Sequence, residues 1–158
     1  MIRHATVRDL DAIAALHAAA RATYYRRRVP EAAEPAGTCE GWARAIDRDR
    51  TEGAVLCAEL DGLVVGAASY RLRAGQASLT QLHVHPAHWS RGVGTALHTA
   101  CVTAWQRAGV RTARLGVYEH NVRARAFYAR HGWRPDPGIP RLGTHLALRL
   151  TVPDPPGA

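Results

Sequence analysis

The stretch Trp89-Ser90-Arg91-Gly92-Val93-Gly94-Thr95-Ala96-Leu97 most narrows what this chain can fold into. Before it, Leu79 to Val84 is a strand-like run stopped by Pro86. After it, Ala96, Leu97, Ala100, Cys101, Ala104 and Trp105 recur along one face of a helix from Val93, and Gly109 ends the pattern. A strand that passes through a short glycine loop directly into a helix is a connection of α/β proteins. The same turn is a ready anion site. Its backbone N–H groups are uncovered, the helix dipole adds partial positive charge, and Gly92 and Gly94 let a phosphate approach the main chain. Glycine pairs before helices also serve as plain turns, so the loop gains meaning only from a partner elsewhere in the chain.

The remaining pattern supplies the frame. Ile2 to Ala5 reads as a short strand, and Thr6-Val7-Arg8-Asp9 as a capping box opening a helix with Leu10, Ile13, Ala14 and His17 on one stripe. Pro30, Pro35 and Gly37 make 26–38 a loop or broken helix, and Trp42, Ala45 and Ile46 indicate a second helix ending near Asp49. Ala54 to Leu60 and Leu63 to Leu72 are strands joined by the hairpin turn Asp61-Gly62. Arg114 to Val117 is a further strand. Asn121 caps a helix that runs to His131 with Gly132 at its stop, and Thr144 to Val152 is a last alternating strand. Hairpins followed by strand, helix, strand, helix predict one α/β domain over residues 1–152, with a disordered proline-rich tail at 153–158.

Composition excludes several classes. The chain has 158 residues and 47% hydrophobic content, enough for one core. It contains no apolar run of membrane-spanning length, and Met1-Ile2-Arg3-His4 does not begin a signal peptide. Cys39, Cys57 and Cys101 are odd in number and far apart, which fits free thiols in a reducing cytoplasm rather than a disulfide frame or metal site. The net charge of +8 rests on arginine alone, because there is no lysine. That balance suits an anionic partner but also fits simple compositional bias. Without interleaved aromatic and basic residues, nucleic acid is not the expected partner.

The loop's partner lies downstream. Leu115-Gly116-Val117-Tyr118-Glu119-His120-Asn121 leads into Val122 to Tyr128, then Gly132-Trp133. Helical spacing puts Asn121, Ala124 and Tyr128 on one stripe, while Ala126, Phe127 and Ala129 are expected to turn toward the sheet. Leu82-His83-Val84, then Trp89 to Gly94, then Asn121 through Trp133 together resemble the GNAT superfamily of N-acetyltransferases. That family has a strand ending in Leu-x-Val, a Gln/Arg-x-x-Gly-x-Gly/Ala loop, and a later Asn-x-x-Ala-x-x-hydrophobic-Tyr helix. The chain departs from it at Trp89, where Gln or Arg is usual. Trp89 then serves either as a plug over the loop, the preferred reading, or as a wall of the cofactor groove.

The resemblance implies a mixed central sheet of about six to seven strands, splayed to hold acetyl-coenzyme A and flanked by about four helices. It places the cofactor against Leu82, His83, Val84, Trp89, Ser90, Arg91, Gly92, Val93, Gly94, Thr95, Asn121, Ala124 and Tyr128, with no metal. The pyrophosphate would sit on the amides of Arg91 to Thr95, with Arg91, Arg123 and Arg125 as candidates for the outer phosphate charge. Tyr128 becomes the general acid for the departing thiolate, and an N–H at or beside Val84 the oxyanion donor. Family positions for the base fall on Ser78 and Thr80, neither of which titrates usefully. The candidates left are Glu59, His83, Glu119, a water held by Ser78 and Thr80, or capture of an already neutral amine, the last two preferred. A β-bulge in that strand would decide which way His83 faces. The implied activity is acetyl transfer to a primary amine, small molecule or peptide, with Tyr24, Tyr25 and the arginines at 26 to 28 near the acceptor wall. The alternative is a silent coenzyme A-binding module, and a homodimer stays open.

Overall fold

Two tight hairpins build the first half of the sheet in the computed structural model, which describes residues 1–24, 38–139 and 141–157. Strands β2 (Gly53–Leu60) and β3 (Leu63–Arg73) turn through Asp61-Gly62, both at positive φ. A second turn of the same kind at Ala74-Gly75 joins β3 to β4 (Gln76–Val84). This turn extends β4 three residues before the apolar run at Leu79, because Gln76 and Ser78 face solvent and carry no hydrophobic signal. Strand β1 (Ile2–His4) pairs with β2, and β5 (Thr112–Tyr118) joins β4 in parallel. The last strand, β8 (His145–Thr151), runs antiparallel to β5. Two pieces that the sequence did not betray, β6 (Arg134–Pro135) and β7 (Arg141–Leu142), pair with β8 and are too short to show alternation. The eight-stranded mixed sheet has the order β1-β2-β3-β4-β5-β8-β6, with β7 also on β8.

Among the described residues, four α-helices cover the two faces. Helix α1 (Leu10–Arg21) follows a 3-10 turn at Val7–Asp9 whose Thr6/Asp9 capping box forms as expected. Helix α2 (Cys39–Asp47) starts at Thr38, whose side chain accepts from Gly41 N–H at 3.1 Å. Ile13, Trp42, Val55 and Ala67 make the smaller core beneath these two helices. Helices α3 (Val93–Arg107) and α4 (Val122–Arg130) lie on the opposite face over the larger core, which buries Leu97, Cys101, Trp105 and Trp133. Trp105 and Trp133 meet edge to face at 6.3 Å, and truncating either would cost about 3–5 kcal/mol. Gly66 sets how closely α3 sits on β3, since a Cβ there would meet Leu97 Cδ1 at 2.9 Å and Val93 Cγ1 at 3.1 Å. Ala126 and Ala129, expected against the sheet, are exposed; Phe127 faces inward as expected, together with Ala124 and Tyr128.

After β8 the chain continues along α3, where Gln106 Nε2 donates to the Pro153 carbonyl at 2.9 Å. No helix among the described residues is long and apolar enough to cross a membrane. Tyr25, Arg26 to Arg28, Pro30, Pro35 and Gly37 lie outside the described residues.

Candidate active site

Parallel pairing between β4 and β5 covers only Gln76, Ala77 and Ser78 opposite Thr112, Ala113 and Arg114. Beyond that point the two strands part. The backbone of β4 is then left with one unpaired edge, and its residues can be identified. His85 N–H donates to Val65 O at 2.8 Å, flanking the opposed pair Gly66 and Val84. Such a flanking bond marks a pair that exchanges no hydrogen bonds itself. The N–H and C=O of Val84, and by alternation those of Leu82, therefore point away from β3 into the gap. The Val84 C=O accepts from Trp89 Nε1 at 2.9 Å, which leaves the Val84 N–H and the Leu82 N–H and C=O along this edge without a strand partner.

A cleft of about 750 Å³ occupies the gap. Its walls include Leu82, His83, Val84, Trp89, Ser90, Gly92, Val93, Gly94 and Thr95 from the β4–α3 side, and Asn121, Ala124 and Tyr128 from the α4 side. Of the residues expected at the cofactor, only Arg91 is missing from this lining; its side chain is exposed. The lining also holds His88, Thr23 and Ala20, which no local pattern singled out, and Phe127. His88 has a buried Nδ1 with no partner among the described residues.

At the cleft mouth the loop enters α3 through Gly92 at φ +79°, a left-handed conformation that a side chain would strain. No side chain caps this helix, and its first bond runs from Ala96 N–H to Gly92 O at 3.0 Å. The N–H groups of Val93, Gly94 and Thr95 are left for an anion. Trp89 does both things considered for it. Its indole N–H donates to Val84 O at 2.9 Å, pinning the loop to β4, and its ring lines the cleft. Arg123 from α4 lies over that ring at 4.0 Å, so a cation–π contact joins the two walls. Arg125 is instead turned to Glu119 O at 3.1 Å. Asn121 caps α4 by accepting from Ala124 N–H at 3.1 Å.

Tyr128 is buried deeper in the cleft. Burial, with the Cys101 thiol and the Tyr24 phenol nearby, holds its hydroxyl protonated well above the ordinary phenol range. Cys101 is itself pushed up to about 12 by burial, an inert core thiol.

The candidates for a base separate cleanly. Glu59 is paired with Arg3 at 3.2 Å near the β2–β3 turn, and Glu119 with Arg141. Thr80 is the extra residue of a bulge in β4, where Ser69 pairs with Gln81 but Tyr70 with Leu79. Its hydroxyl donates to Ser69 O at 2.9 Å, and neither Thr80 nor Ser78 lines the cleft. The bulge shifts the alternation, so Leu82 and Val84 join Leu79 on the α3 face while Gln81 and His83 turn to α1. There His83 stacks on His17 with centroids 3.9 Å apart and planes at 21°. Trp42 Nε1 donates to His17 Nδ1 at 3.2 Å, which fixes the orientation of that ring. His83 Nε2 contacts Gln81 Oε1 at 2.5 Å, which leaves Nδ1 as its basic nitrogen. Burial and the adjacent His17 push His83 well below the ordinary imidazole range, so it is neutral at pH 7. Among the described residues no group of histidines, cysteines and carboxylates could hold a metal.

The family model described as Acetyltransferase (GNAT) family matches residues 13–133. No curated protein matches the sequence. Among solved structures, the PaiA N-acetyltransferase from Thermoplasma acidophilum, in complex with coenzyme A, is 18% identical with a TM-score of 0.86, over 96% of this chain and 98% of that one. A GNAT-family acetyltransferase from Staphylococcus aureus Mu50 gives 0.81 at 14% identity, over 97% and 99%. The ribosomal-protein-alanine N-acetyltransferase from Brucella melitensis gives 0.69 at 22%, over 96% and 99%. At these identities the likeness shows a shared fold.

Proposed function

The chain belongs to the GNAT acetyltransferase family and is an acetyl-coenzyme A-dependent N-acetyltransferase acting on an amine acceptor; from this premise we propose roles for the cleft residues. The observation that carries the reading is the open β4 edge at Leu82 and Val84, facing a cleft whose mouth is an uncapped helix N-terminus. An extended amide-containing arm fits that edge, and a pyrophosphate fits the N–H groups of Val93, Gly94 and Thr95. Arg123, steadied by Trp89, adds positive charge at the mouth. The bound thioester supplies the activated acetyl group.

The protein groups then divide the proton work. His83 Nδ1 takes a proton from the acceptor amine. Its lowered basicity suits this step, because an amine N–H becomes far more acidic once the nitrogen begins to bond carbon. The Val84 N–H stabilises the charge developing on the acyl oxygen. Tyr128 gives its proton to the departing sulfur; burial holds this hydroxyl above the ordinary phenol range, so the transfer is uphill by more than the roughly 2 kcal/mol that separates a phenol of pKa about 10 from a thiol of about 8.5 in water. The acceptor enters from the α1 side, where His83 and Tyr24 meet the cleft. Thiol release from acetyl-coenzyme A over a panel of amines tests the reading. At least one amine should raise release well above hydrolysis; a panel of α-amines, alkylamines and peptides that all fail would refute it.

A further inference from the structure

Arg71, Ser78, Arg114 and Arg149 stand directly opposite one another on β3, β4, β5 and β8. Residues paired across a sheet project from the same face. Here it is the face that carries Gln81 and His83, and all three arginines are exposed. Helices α1 and α2 pack over β2, β3 and β4 on this side and leave the Arg114 and Arg149 positions open to solvent. At about 4.8 Å between strands the row spans about 14 Å. Arg48, just past α2, extends it, lying against Gly53 opposite Arg71 with a buried Nη1 that has no partner among the described residues.

Little offsets this charge. Asp136 reaches Arg114 at 3.3 Å and also acts through its charge on Arg149, and Glu52 lies near Arg48, but no carboxylate among the described residues makes an ion pair with Arg71. Like charges directly opposite in a sheet lower its stability, so the row works against folding.

We infer that this row docks an acidic polypeptide that carries the acceptor amine. Three features favour that occupant. The row crosses β4 and β5 at Ser78 and Arg114, the last paired position before the strands part, so a chain lying on it delivers its end to the cleft. The next step along this face is the exposed Gly116, where a Cβ would meet only His145 Cβ at 3.8 Å; Ala147 opposite it is already covered. A backbone can lie flat there, and 14 Å matches about four extended residues. Single-stranded nucleic acid would need stacking rings between the cations, and the row itself carries none. The inference rests on the reading that the acceptor enters on the His83 side.

The test uses fluorescence anisotropy with C-terminally labelled hexapeptides, each with a free amino terminus followed by four glutamates or four glutamines. The wild type should bind the glutamate peptide at least tenfold more tightly at low salt, with the difference vanishing at high salt. The double variant Arg71→Gln/Arg149→Gln should lose that preference, while its melting temperature does not fall and its coenzyme A affinity by calorimetry is unchanged. Equal binding of both peptides by the wild type, or a preference kept in the folded double variant, overturns the inference. So does tighter, arginine-dependent binding of a short single-stranded RNA. Binding through the row without acetylation of the peptide overturns its acceptor role, and leaves the His83 chemistry to be judged on other amines.

Discussion

His83→Ala is the substitution that bears hardest on the proposed chemistry. At pH 7 an α-amine of pKa about 8 is roughly one-tenth neutral, so capturing it without a base costs about 1.4 kcal/mol. A lysine-like amine of pKa about 10.4 costs about 4.6 kcal/mol by the same reckoning. That cost is met with or without His83, which acts only once the nitrogen begins to bond carbon; general-base assistance there is worth about 10²–10⁴-fold, or roughly 2.7–5.5 kcal/mol. His83 is depressed by burial and by the adjacent His17, so its protonation should appear as an acid limb in kcat/KM below pH 6.5. Above that, the rate should follow the acceptor's own ionisation. The assay is thiol release at saturating acetyl-coenzyme A from pH 5 to 9. The alanine variant should be at least 10²-fold slower and lack the acid limb, and His83→Gln, which keeps more of the volume against His17, should be equally slow. A folded His83→Ala protein with kcat within twofold of wild type, or with the limb intact, would refute the assignment and favour capture of neutral amine.

Tyr128→Phe keeps the ring packing and removes the hydroxyl, so kcat should fall about 10²-fold with little change in coenzyme A affinity measured by calorimetry. Gly94→Val should abolish that affinity in a folded protein: a Cβ there already meets Phe127 Cε2 at 3.3 Å and Val84 Cγ2 at 3.8 Å, so the branched side chain closes the cleft. Trp89→Leu and Arg123→Met should each weaken coenzyme A binding several-fold, and the double variant little further, since each loses the same 4.0 Å contact. Stability should fall in acid through His98, whose Nε2 accepts from Trp133 Nε1 at 2.9 Å and whose pKa burial lowers to about 4. For a histidine with a depressed folded pKa, the contribution is intact above pH 6.5 and is lost as pH falls toward 4, about 3 kcal/mol in all. Thermal melts over that range should show the loss, and His98→Gln should reduce it.

Local physics was enough for the elements that repeat or turn sharply. The period of α3, the glycines of its entry loop, the Asp61-Gly62 turn and the Asn121 cap all act within a few residues, so they could be read directly, and with them much of the lining of the cleft. The base could not be read that way. Whether His83 faces solvent, cofactor or α1 depends on one extra residue, Thr80, whose bulge is defined only by pairing with β3. Its partner His17 and the Trp42 donor come from two other elements. The arginine row is likewise invisible along the chain, since Arg71, Arg114 and Arg149 become neighbours only through strand register. Sequence determined which segments fold and which helix N-terminus is left uncapped, because those follow from nearest-neighbour backbone chemistry. Tertiary structure decided which side chains meet in the cleft, because β-sheet register is a long-range property and a shift of one residue reverses every face.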